Sequence, residues 1–305
     1  MSKHYQFRQN EIEQIVNRFG QAFYEKVLRD LDTFAEQWAL SELQLIPSYS
    51  ANLVFTCESA QFGSAVLKVG RISSAEINTE YHTLLHYDGR RFCNVYAADV
   101  VRGVMLEARV KPGNPLREET SLAARLDVFS SLYTDLHIAA ANAELYPTYV
   151  DWVSKITEFM SKQPDCSELA GYMKKAEDIC LSVAAVYTRQ MLLHGDFHHD
   201  NILLGQGGVY QIIDPKGVIG DPVFDVPRFI LNEFDDDFSQ KGYAKINEII
   251  VVLEKKLGIP SAIIKQCLFV ETAMGSCWCV EDGATAEEYA DLVKQVAFAE
   301  SIMNS

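Results

Sequence analysis

Two polar loops held between apolar runs constrain this chain more than any other feature. The segment Leu192-Leu193-His194-Gly195-Asp196-Phe197-His198-His199-Asp200-Asn201-Ile202-Leu203-Leu204 reads H-G-D-x-x-x-x-N, with aliphatic residues at both ends. Ile212-Ile213-Asp214-Pro215-Lys216-Gly217 follows, again polar after apolar. Ile202 to Leu204 and Ile212 to Ile213 read as short buried strands, so each loop is expected to hang from a rigid support. An isolated aspartate in a loop is ordinarily a turn former or a helix cap. Two such loops, each flanked by strand-like residues, make a pattern that turn chemistry alone does not require. His194 is expected to pack and hydrogen-bond within its loop.

The 305 residues suffice for one large domain or two lobes with a substantial core. A formal net charge of -15 argues against a nucleic-acid partner, whose phosphates require a basic surface, and against docking on anionic lipid. It suits a cationic small ligand. Seven scattered cysteines, with no recognisable leader before them, are expected to be reduced thiols of a cytoplasmic protein. The close pair in Cys277-Trp278-Cys279 has no second pair or histidines near it, so zinc is not expected. No apolar run reaches the ~20 residues that a membrane helix needs.

Ile12, Ile15, Val16, Phe19, Phe23, Val27, Leu31 and Phe34 recur at helical spacing and predict one or two amphipathic helices. From Leu43 to Val69 the pattern becomes strand-like, with Leu53 to Cys57 and Ala65 to Val69 joined by a turn at Gly63. On a strand, Lys68 and Val66 share one face while Ala65, Leu67 and Val69 share the other. A lysine there needs either a partner or an exposed edge. A helix over Ser74 to Tyr87 carries Glu80, with Glu76 one turn earlier on the same face. Phe92 to Val100 and Gly103 to Leu106 read as strands, and the chain after Gly113 is predominantly helical. The expected division is 1–107, a β-rich lobe with a helical extension over 1–41, and 108–305, a helical lobe carrying both loops. Asp225 is expected to open and cap a helix.

Taken together, Phe34-Ala-Glu-Gln-Trp38-Ala-Leu40, Leu67-Lys68, Glu80 with His86-Tyr-Asp-Gly89, Met105-Leu-Glu107, Leu193-His-Gly-Asp196, Ile213-Asp-Pro-Lys-Gly217 and Cys277-Trp-Cys-Val-Glu-Asp-Gly283 resemble the aminoglycoside phosphotransferases. The likeness is to the branch with streptomycin 6-kinases and hydroxyurea-antibiotic kinases. It implies an α+β, two-lobed, protein-kinase-like fold. It also implies an ATP- and Mg²⁺-dependent transfer to a small-molecule hydroxyl. Phosphoryl transfer is mostly positioning and charge stabilisation, which explains the residue types. Asp196 would orient the acceptor hydroxyl and take its proton. Asn201 and Asp214 would supply the few hard oxygen donors that Mg²⁺ needs beside phosphates and water. The resemblance assigns Lys68 to the phosphates, Glu80 to hold Lys68, and Val66 to the adenine. It also places the Leu106 carbonyl and the Ala108 N–H at the base, and Ser50 at the phosphates. An aspartate at the position of Asp225 would brace the catalytic loop.

The acceptor is less constrained, and kinases of choline, homoserine or sugars, or a nucleotide-binding interaction module, remain open. Glu233, Asp235 and Glu271 are candidates to hold a polycationic acceptor, Glu271 because it lies in the otherwise apolar Cys267 to Met274. Three departures stand out. The segment Pro47 to Asn52 lacks the glycines of a phosphate loop, His198 replaces the lysine of protein kinases, and no A-P-E segment follows Asp214.

Overall fold

The computed structural model describes residues 2–305. They form two compact units. The first comprises the chain up to Asn114 together with Leu204–Ile213, and the second comprises Pro115–Leu203 and Asp214–Ser305.

The first unit opens with helices α1 (Gln9–Phe19) and α2 (Gln21–Gln37). The predicted apolar stripe is divided by Gly20, whose φ of +91° suits glycine and ends one helix before the next begins. Five antiparallel strands follow: β1 (Leu40–Ile46), β2 (Leu53–Ser59), β3 (Gly63–Val69), β4 (Val95–Asp99) and β5 (Val104–Ala108). Their order in the sheet is β1-β2-β3-β5-β4. Helix α3 (Ala75–Tyr87) links β3 to β4, with Ser74 capping its N-terminus by accepting from the Ile77 N–H.

One face of this sheet is the core. Leu53, Phe55, Ala65, Leu67, Val69 and Leu106 pack against Ile15, Phe23, Val27, Leu31 and Phe34 of the two leading helices. The strand period of two then directs Val66 and Lys68 to the opposite face. The register sets Val66 beside Glu107 and Lys68 beside Met105.

The second unit is mostly helical: α4 (Leu122–Tyr133), α5 (Tyr149–Met160), α6 (Ser167–Val186), then, beyond the loops, α7 (Pro227–Leu231), α8 (Gln240–Leu257), α9 (Ser261–Glu281) and α10 (Ala286–Met303). Four three-residue strands frame the polar loops: β6 (Met191–Leu193), β7 (Ile202–Leu204), β8 (Tyr210–Ile212), which belongs to the first unit, and β9 (Val218–Gly220). Strand β6 pairs with β9, so the H-G-D loop and the segment after Asp214 start from one ladder. Helix α9 is apolar around nearly its whole circumference and is the buried centre of this unit; Leu268, Phe269, Val270 and Ala273 are inaccessible. No single helix is long and apolar enough to cross a membrane among the described residues.

Candidate active site

In the first unit Lys68 is 4% exposed, so the exposed-edge reading fails and the partnered one holds. Its ammonium pairs with Glu80 of α3 and lies 3.3 Å from Glu107 of β5. Glu76 is at the surface, which decides between the two helix carboxylates. Sequence reasoning missed Glu107. Its signal was the register: a residue beside Val66 on β5 must share the face that carries Lys68. Cys93 donates to Glu107 at 3.7 Å, and burial pushes its thiol well above the usual range.

Val66 shares the face of Lys68, and Ser50 lies exposed in the β1–β2 turn. The backbone pair assigned to the adenine needs correction. Leu106 is fully buried between Leu67 and Ala97 in adjoining strands, and the Ala108 N–H already donates to the Asn94 carbonyl at 2.7 Å. A group enclosed in a ladder cannot also read a ligand. The first N–H past the ladder without a hydrogen bond among the described residues is that of Val110. Val110 lines a cavity of about 550 Å³ with Arg109, Lys111 and Gln211.

In the second unit the catalytic loop rests on Asp225. Its carboxylate is 2% exposed and accepts from the His194 N–H at 2.7 Å and the Gly195 N–H at 2.8 Å, while His137 Nε2 lies 2.9 Å away. Burial would raise its pKa, but His137, His194 and the loop amides outweigh that and lower it. Asp225 caps no helix, contrary to expectation; Asp221 does so by accepting from the Val223 N–H. Gly195 has a φ of +79°, and a Cβ there would meet the Trp152 ring at 2.8 Å. His194 behaves as expected, its Nδ1 accepting from the Asp196 N–H at 3.1 Å.

The Asp196 carboxylate faces Arg228 Nε at 3.2 Å and His198 Nε2 at 3.4 Å. Burial acts to raise its pKa, yet His198, Arg228 and Lys216 together hold it well below the carboxylate range. It is therefore ionised at every physiological pH. Arg228, given no role from sequence, sits three residues after Asp225 at the start of α7. Asn201 donates its amide N–H to the Asp196 carbonyl at 2.9 Å, which fixes which way its oxygen turns. Asp214 has a φ of +57° and pairs with Lys216 at 2.7 Å. The Lys216 N–H donates to the His194 carbonyl at 2.7 Å and ties the two loops together. An amide oxygen and one carboxylate fit Mg²⁺, which takes few protein ligands. No cluster of three His, Cys, Asp or Glu suited to a metal occurs among the described residues.

The proposed acceptor carboxylates are largely committed elsewhere. Glu233 is 2% exposed and is gripped by Arg125 at 2.7 and 2.8 Å, His199 at 2.8 Å and Lys245 at 2.9 Å. Glu271 does have a partner, as its apolar helix demands, but the partner is internal. Arg228 lies 2.7 Å from one oxygen, and the Tyr149 hydroxyl donates to the other at 2.5 Å. Neither can serve an acceptor without breaking a buried pair. Asp235 remains at the surface, 2.6 Å from Lys245.

The chain matches the aminoglycoside/hydroxyurea antibiotic resistance kinase family over residues 37–283. It belongs to that family. The kinase is 23% identical to streptomycin 3''-kinase of Klebsiella pneumoniae, across 72% of its own length and 81% of the relative's. It is 21% identical to streptomycin 6-kinase of Streptomyces glaucescens, across 88% and 87% respectively. Its fold is that of aminoglycoside phosphotransferase APH(4)-Ia in ternary complex with ADP and hygromycin B. That match has a TM-score of 0.62 at 17% identity, covering 90% of this chain and 98% of the other. The chain is thus a small-molecule phosphotransferase with a protein-kinase-like fold.

Two tests of this geometry follow. Lys68→Ala leaves Glu80 and Glu107 buried without their ammonium, so the ligand-free protein should lose about 3 kcal/mol in urea denaturation. Asp225→Asn should remove part of the acid sensitivity of folding. A carboxyl whose folded pKa is depressed stabilises fully above its unfolded value, about 4, and loses that stability as pH falls toward the folded value. Denaturation midpoints between pH 7 and pH 3 should therefore fall less steeply in the variant than in wild type.

Proposed function

We propose that this kinase transfers the γ-phosphoryl group of ATP, with Mg²⁺, to a hydroxyl of an aminoglycoside-like antibiotic. The observation that carries the reading is Asp196, displayed on a loop whose amides are clamped by buried Asp225. In the ionised form it accepts the hydroxyl's hydrogen bond and aligns the oxygen. Held so acidic, it receives the proton only as the new P–O bond forms, in keeping with a loose transition state that demands little of the base. Lys68, fixed by Glu80 and Glu107, is the cation assigned to the phosphates, with Ser50 at the β1–β2 turn as a weaker contact. Asn201 and Asp214 would hold Mg²⁺, which when bound neutralises charge on the transferring phosphates. Val66 is assigned to the base, and Val110 replaces Leu106 and Ala108 as the backbone contact.

The two streptomycin kinases among the relatives act at different positions by name, so likeness alone leaves the site of transfer open. One observation favours a second reading. With Glu233 and Glu271 held in internal pairs, the case for a polycation rests on the net charge of -15 and on exposed carboxylates such as Asp235. An uncharged metabolite alcohol is therefore the alternative acceptor.

Asp196→Asn should lower kcat by about two to four orders of magnitude while leaving Mg-ATP affinity nearly intact. Measuring turnover against a panel of streptomycin, hygromycin B, choline and sugar alcohols tests both the residue and the acceptor class. Wild-type rates in the variant would remove Asp196 from the mechanism. Asp214→Ala should abolish metal-dependent ATP binding in isothermal titration, because Asn201 alone cannot retain the ion.

A further inference from the structure

The chain has three tryptophans. Trp38 is buried in the core of the first unit. The other two, far apart in sequence, meet beside the catalytic loop. The Trp152 ring lies against Gly195, the residue before Asp196, close enough that a Cβ at 195 would be 2.8 Å from it. The Trp278 ring stands edge-on to Trp152, with centroids 5.7 Å apart and planes at 79°. The Arg228 guanidinium lies 6.0 Å from the Trp278 ring centroid, and the same Arg228 touches Asp196. Both indoles are only half-buried. Neither ring N–H has a hydrogen-bond partner among the described residues, and neither is among the buried polar atoms left unsatisfied.

We propose that Trp152 and Trp278 form the acceptor platform of this kinase, taking the flat C–H face of the ring that bears the reacting hydroxyl. The inference rests on the phosphotransferase reading above and adds to it the residues that select the acceptor. Two large aromatic side chains left partly in water at a catalytic loop expose apolar area that a ligand would cover. An indole face is electron-rich, and the C–H groups on one side of a pyranose or cyclitol ring are weakly positive, so the two faces attract. The free N–H groups at the indole edges would then meet ring hydroxyls. A cationic group is the poorer occupant of Trp278, because Arg228 already supplies a cation to that ring. The carboxylates that could have held a cation here, Glu271 foremost, are paired within the protein. Recognition next to Asp196 therefore falls to shape and aromatic faces.

The test uses the full-length protein with streptomycin and hygromycin B as probes. Trp152→Leu and Trp278→Leu should each raise the acceptor KM about tenfold, within the range of one aromatic contact, and leave the KM for ATP unchanged. Trp278→Phe should recover most of the loss. The loss should persist at high salt. A loss that vanishes with salt would overturn the ring-face assignment in favour of a cation contact, and unchanged acceptor KM in both leucine variants would overturn the platform itself. Because Trp152 packs on the catalytic loop, a second readout is needed. In a Trp38→Phe background all indole fluorescence comes from the two platform residues, and saturating acceptor should change it. If wild type phosphorylates neither probe and no other alcohol, the phosphotransferase reading fails on its own. Fluorescence that then responds to no ring alcohol overturns the platform as well.

Discussion

A single buried carboxylate holds the reacting end of this molecule in place. Asp225 has no access to solvent sufficient to satisfy it, so it takes hydrogen bonds from the two consecutive amides that begin the catalytic loop and from His137. Buried ionised groups persist only when their oxygens are met in this way. The arrangement converts a flexible turn, entered through a glycine with φ of +79°, into a fixed mount for Asp196. From there the contacts spread outward: Lys216 ties the second loop to His194, and Arg228 joins Asp196 to Glu271 and Tyr149. Positioning within a fraction of an ångström is what phosphoryl transfer asks of a protein, and this network supplies rigidity around Asp196.

The charge pattern around these sites is economical in a specific sense. Lys68 faces two carboxylates in the first unit, and Asp196 faces Arg228 and His198 in the second. Each reactive charge has a fixed counter-charge before any ligand arrives. Ion pairs buried this deeply add little net stability, since desolvation opposes the Coulombic gain. Their effect is on orientation and on ionisation state: Asp196 stays a carboxylate, and Lys68 cannot swing to water.

Much of this was readable in the sequence, for reasons that differ by residue. The strand period placed Lys68 and Val66 on one face, because Ala65, Leu67 and Val69 had to be buried together. The two loops were visible because short apolar runs bracketed them. The two leading helices followed from the spacing of Ile12 to Phe34. What escaped were relations across the fold. Leu106 and Ala108 looked like backbone readers only until strand pairing showed their hydrogen-bonding groups enclosed. Glu233 and Glu271 looked like acceptor-binding groups because a carboxylate in sequence does not reveal its cation. Arg125 precedes Glu233 by 108 residues, and Arg228 belongs to a different helix from Glu271. Pairings at such separations depend on helix packing, which no local pattern encodes.

The contact between Gly195 and Trp152 also limits how this architecture can vary. Protein kinases place an arginine where this chain has Gly195. Here that substitution is blocked twice, once by the left-handed backbone and once by an indole lying where the first side-chain carbon would go. Replacing the tryptophan by something small would remove only the second barrier. The coupling runs in one direction: any side chain at 195 would require the indole to move, whereas a smaller residue at 152 leaves the glycine in place. The residue before Asp196 is in this way restricted by a side chain of helix α5 that is remote from it in sequence.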